Sequence, residues 1–95
     1  MSFKQLEQVR AKIDEVDKNL VELLKKRQDL VVEAASLKKD LDVSAYSHER
    51  QTYVLSHVEE IARSLQLPQG LLSDIMKRVL RESYKLCSGT DFNYP

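Results

Sequence analysis

Arg27 is the residue most at odds with its surroundings. It falls on a seam that otherwise reads Leu6, Val9, Ile13, Val16, Leu20, Leu23, Leu30, Ala34 and Leu37, stepping alternately by three and four residues. A guanidinium on a buried seam is costly unless paired. Two readings account for it: the side chain snorkels to solvent or pairs with Asp29 or Glu33, or it holds an anion. The second reading rests on Lys38, which follows on nearly the same helical face about 16 Å along the axis, so that a small anion gripped by extended side chains from both ends could bridge them. Arg10 precedes Arg27 by about 25 Å of helix and can meet the same ligand only from a second, antiparallel chain. Arg50 would complete a set of four cations drawn from two chains. Each of these residues alone is commonly a solvated surface charge.

Other chemistry has little footing. Cys87 is the single cysteine, so it makes no internal disulfide, and His48 and His57 have no zinc or haem spacing. No metal and no cofactor is expected. Acidic and basic residues balance at 15 each, so no net field draws the chain to nucleic acid or to an anionic membrane. Apolar runs never exceed three residues and the segment from Met1 to Lys12 is polar, which argues against a membrane span or a secretory leader and makes the cytoplasm the expected compartment.

Three helices must position these side chains. There is no glycine or proline between Met1 and Leu67, and the only polar, turn-prone cluster is Asp40 to Ser47. The first helix is therefore predicted from about Phe3 to Lys39. Ser47 suits an N-cap, with Glu49 in the first turn of a second helix whose face is Val54, Val58, Ile61 and Leu65. Leu67-Pro-Gln-Gly70 ends it. A third helix, with Pro68 in its first turn, carries Leu72, Met76, Val79, Ser83 and Cys87 on one stripe, widened by Leu71, Ile75 and Leu80. It is predicted to reach about Cys87, leaving the tail from Ser88 to Pro95. The fold class is all-α, with three helices per chain and a long first helix. That helix, roughly 55 Å long, exceeds what a compact globule of this size can cover. An intertwined antiparallel homodimer is the economical arrangement, with an isolated coiled-coil dimer as the alternative.

The series Val9-Arg10-Ala-Lys-Ile13-Asp-Glu-Val-Asp17, Leu23-Leu24-Lys-Lys-Arg27, Lys38 and Glu49-Arg50 resembles the all-helical chorismate mutases. The stretch Met76 to Tyr84, followed by Phe92, looks most like the mutase domain that begins bifunctional chorismate mutase/prephenate dehydrogenases. The likeness covers about residues 3 to 92. It implies a mutase domain over residues 1–90, with 91–95 as a tail or the start of a linker to a fused dehydrogenase. It also implies conversion of chorismate to prephenate in phenylalanine and tyrosine biosynthesis. By the same resemblance, Arg27 and the partner chain's Arg10 hold the two substrate carboxylates and Arg50 supports that network. Lys38 donates to the ether oxygen and a carboxylate, and Ser83 lines the carboxylate end.

Three positions depart from the family pattern. Gln51 stands where a glutamate meets the substrate hydroxyl. Cys87 stands where a glutamine or glutamate is the second donor to the ether oxygen, and a thiol is a weak, short donor. Its plainer reading is a small apolar plug near a helix end. Ser47 replaces an aspartate found in some relatives. Gln51 keeps open an isochorismate pyruvate lyase, which shares the fold and cations but lacks that glutamate. Cys87 keeps open a catalytically impaired, mutase-like helical dimerisation module.

Overall fold

A computed structural model describes residues 2–44 and 46–88, and of Ser88 the backbone alone. Of the predicted tail, residues 89–95, including Phe92 and the linker at 91–95, lie outside the described residues. The element order is α1 (Phe3–Asp40), α2 (His48–Ser64) and α3 (Gln69–Ser88), with no strand among the described residues. The all-helical class and the three predicted elements are therefore found. α1 and α3 each run one residue beyond the predicted end, and Pro68 stands just before α3 instead of inside its first turn.

Local chemistry sets each helix end. Ser2 and Gln5 form a capping box: the Gln5 amide donates to Ser2 Oγ at 3.2 Å and the Ser2 amide to Gln5 Oε1 at 2.9 Å. α2 begins at Ser47, whose hydroxyl accepts from the Arg50 amide at 3.2 Å. Both α1 and α2 stop without glycine. At the end of α1 the Val43 amide donates to the Lys38 carbonyl at 2.8 Å and the Asp42 amide to the Lys39 carbonyl at 3.2 Å, with Asp42 at φ 56°. At the end of α2, Leu67 donates to Ala62 at 2.8 Å and Gln66 to Arg63 at 3.1 Å, with Gln66 at φ 60°. Both are Schellman stops with a non-glycine residue in the left-handed position. Lys38 and Lys39 in the last turn of α1 also complement the negative end of its dipole.

The described chain divides into two compact units, one through Leu30 and one from Val31 onward, with α1 running through the boundary. In the first unit Leu6, Val9, Ile13, Val16, Leu20 and Leu23 are 43–63% exposed. No residue of α1 is buried. The second unit holds the core. There α2 packs on α3 around Val54, Leu80 and Tyr84, with Tyr46, Leu55, Val58 and Met76 against them. Tyr46 meets Tyr84 edge-on at 5.1 Å between centroids, which ties the α1–α2 connection to α3. Leu71 and Ile75, expected to widen the α3 stripe, are about half exposed, as is Ile61 on α2. With only one helix face to pack against, the covered stripe is Leu72, Met76, Leu80, Ser83 and Tyr84, and the outer flank stays uncovered.

Candidate active site

The candidate residues fall in both units. In the first, Arg10 pairs one turn back with Glu7, Nη1 to Oε1 at 2.8 Å, between side chains that are both mostly exposed. A surface pair of this kind contributes little, so a stronger anion can take the guanidinium at small cost. Arg27 is half-buried, unlike the exposed residues on either side of it. Asp29, one of the partners its spacing allowed, pairs with Lys25 at 2.8 Å.

The second unit brings two candidates together. Lys38, from the last turn of α1, and Cys87, from the last turn of α3, line one concavity of about 500 Å³. Its walls also include Lys39, Ser36, Asp42 and Val43. Lys38 is held from both sides: its amide belongs to the helical ladder and its carbonyl accepts the Val43 amide at the helix stop. Lys38 and Lys39 outnumber Asp42 among the charged residues of this lining, a balance that favours an anion over a cation. Lys39 and Asp42 were not singled out by sequence reasoning; the signal available was their closeness to Lys38 at a helix end.

The remaining candidates lie on α2 and α3. Ser47 spends its hydroxyl as acceptor for the Arg50 amide, and so fixes the turn from which Arg50 projects. The Arg50 guanidinium sits 5.1 Å from the centroid of the Tyr53 ring. Gln51 Oε1 is buried and has no hydrogen-bond partner among the described residues. A buried carbonyl oxygen without a donor costs free energy, which a ligand hydroxyl would recover. Ser83 is 6% exposed and its hydroxyl donates to the Val79 carbonyl at 2.9 Å, so its one proton is committed within α3. Cys87 is half-buried. Among the described residues no cluster of His, Cys, Asp or Glu could hold a metal ion, and no helix is long and apolar enough to cross a membrane.

Comparison with known proteins gives this cation-rich helical layout a family. The model of the family described as chorismate mutase type II matches residues 9–87. The chain belongs to the chorismate mutase type II family. The matched span contains all eight candidates: Arg10, Arg27, Lys38, Ser47, Arg50, Gln51, Ser83 and Cys87. Among curated proteins, this type II mutase-family chain is 39% identical over 80 residues to the T-protein of Enterobacter agglomerans, covering 84% of this chain and 21% of that protein. It is 32% identical over 85 residues to the T-protein of Haemophilus influenzae, covering 88% of this chain and 22% of that protein. The chain thus spans about a fifth of the length of these two relatives. A chorismate mutase of Methanocaldococcus jannaschii is 24% identical over 69 residues, covering 73% of this chain and 70% of that protein. No solved structure matches the chain significantly.

Proposed function

We propose that this chain is a chorismate mutase, rearranging chorismate to prephenate in phenylalanine and tyrosine biosynthesis. The observation that carries the reading is the family match over residues 9–87, which takes in every candidate cation. The geometry agrees with it. A Claisen rearrangement breaks an ether C–O bond while a C–C bond forms in one cyclic shift of electrons, so it calls for no nucleophile, metal or redox group. What speeds it is conformational restraint of the dicarboxylate and stabilisation of negative charge growing on the ether oxygen.

In this reading Arg27 and the partner protomer's Arg10 grip the two carboxylates, with bidentate geometry that lysine lacks. Arg50 supports them, with Ser47 fixing its turn and Ser83 behind the carboxylate end. Lys38 directs its ammonium at the ether oxygen from the concavity it shares with Cys87. Gln51 offers its unpartnered Oε1 to the substrate hydroxyl.

The working assembly is an intertwined antiparallel homodimer. The exposed apolar seam of α1 supports this, because a helix with no buried residue has its stabilising surface still to be covered. Residues 1–90 form the mutase domain and 91–95 are a tail or the start of a linker; the T-proteins, of which about a fifth is matched, make a fused prephenate dehydrogenase the domain that such a linker would join. The protein works in the cytoplasm.

The test is turnover by the purified protein. Prephenate formation from chorismate above the uncatalysed rate supports the proposal. Gln51 favours one rival, and release of pyruvate and salicylate from isochorismate would establish that lyase in its place. Absence of both reactions would leave a helical dimerisation module.

A further inference from the structure

The outer face of α2 carries a run of stacked side chains of which the reading above uses only Arg50. Arg50, Tyr53 and His57 recur at intervals of three and four, which puts them on one helical face. The Arg50 guanidinium lies 5.1 Å from the Tyr53 centroid, and the Tyr53 and His57 rings stack at 5.4 Å with only 12° between their planes. Tyr53 is 54% exposed, so this large aromatic ring contributes little to the core of Val54, Leu80 and Tyr84. What it does contact is an arginine near the start of the helix. Arginine has several rotatable bonds, and an exposed one samples many rotamers; a ring face beneath the guanidinium narrows that set. His57 in turn limits the rotation of the ring. Ser47 fixes the backbone of Arg50 and Tyr53 fixes its side chain, so the two ends of this arginine are held by different groups.

We propose that Tyr53 is a positioning residue for substrate binding, holding the Arg50 guanidinium in the orientation from which it supports the carboxylate-binding arginines. The inference rests on the mutase reading and on the place of Arg50 in its site. Tyr53 touches no substrate and acts through Arg50 alone. Removing the ring releases the arginine to solvent and weakens binding of the anionic substrate, while donors at the ether oxygen stay in place. The effect therefore falls on KM more than on kcat. The energy of a cation–π contact at an exposed site corresponds to about two- to fivefold in KM.

The experiment is a double-mutant cycle on the purified full chain, with chorismate as substrate and steady-state kcat and KM as readouts. Tyr53→Leu is expected to raise KM about two- to fivefold with kcat nearly unchanged and with the melting temperature unaltered. Tyr53→Phe keeps the ring and is expected to restore most of the loss. In an Arg50→Ala background, Tyr53→Leu is expected to have no further effect. In proton spectra, the Arg50 side-chain resonances are expected to move downfield in Tyr53→Leu as ring-current shielding is lost. If Arg50→Ala impairs turnover but Tyr53→Leu does not, or impairs it equally with and without Arg50, the positioning role is overturned and the mutase reading stands. If Arg50→Ala leaves turnover intact, or the parent protein does not turn over chorismate, the site reading fails and this role fails with it.

Discussion

Replacing Cys87 by glutamine tests whether the concavity lined by α1 and α3 serves the developing oxyanion of the proposed rearrangement. Lys38 and Cys87 share its wall, and Ser83, one turn before Cys87 on the same stripe, has its proton committed to the Val79 carbonyl at 2.9 Å. Lys85 is directed toward Glu82, Nζ to Oε1 at 3.5 Å. In the proposed site the α3 side would therefore present a thiol to the ether oxygen, and a thiol is a poor donor. A concavity of about 500 Å³ has room for the few heavy atoms that glutamine adds. A neutral hydrogen bond nets about 0.5–1.5 kcal/mol. Because the ether oxygen becomes strongly basic only as the C–O bond breaks, that contribution goes mainly to the transition state and raises kcat by about two- to tenfold. The assay is the initial rate of chorismate loss at neutral pH, compared among Cys87→Gln, Cys87→Ala and the parent. Cys87→Ala is expected to change little. A glutamine variant no faster than the parent, together with a strongly impaired alanine variant, would refute the reasoning: either another α3 residue faces the oxygen or the thiol has a different task.

Cys87→Glu is expected to be slow at neutral pH and to speed up as pH falls through the carboxyl's pKa, because only the protonated acid donates and the ionised form repels the growing oxyanion; a pH–rate profile that is flat would contradict this. Arg10→Ala and Arg27→Ala should each lower turnover about 10²–10³-fold without loss of helicity by circular dichroism. Mixing the two after subunit exchange should recover about a quarter of the parent's activity, since half of randomly paired dimers are mixed and each retains one intact site; no recovery would deny a site shared between chains. The melting temperature should rise with protein concentration, as dimerisation requires, and a concentration-independent melt would oppose it. Gln66→Gly should raise the melting temperature by a few degrees, since a left-handed non-glycine residue costs roughly 1–2 kcal/mol and the entropy of glycine returns only about 0.5–1. Asp42→Gly should gain less, because aspartate tolerates that conformation better than glutamine; thermal melts of the two variants give the order.

How far the sequence could be read depended on which interaction decided each feature. α1 was legible because an alternating three-and-four seam and an absence of breakers admit one interpretation, and Ser47 was legible because a serine before a new apolar face is a capping signal. The stops of α1 and α2 were placed only approximately, since their left-handed residues are Asp42 and Gln66 and no glycine marks the turn. Tyr46 and Tyr84 escaped the core assignment. A stripe drawn through leucines and isoleucine favours Leu71 and Ile75, but which flank of α3 is covered follows from how α2 crosses it, a tertiary fact. Lys38 was singled out from one helix and Cys87 by resemblance; that they line a common concavity follows from the return of α3, which periodicity does not encode. Tyr53 was overlooked because an exposed aromatic at a helical interval carries no special mark until its neighbour is seen to lie over it.

The stop of α1 also provides a reporter. The proton on the Val43 nitrogen is held by the carbonyl of Lys38 itself. Its exchange with solvent deuterium therefore clocks the local openings that loosen the backbone of that lysine. A substrate analogue that stiffens the end of α1 would slow exchange at this one amide, and a substitution that frays the end would quicken it. The order of the lysine's anchorage can thus be followed peptide bond by peptide bond, without a label and without turnover.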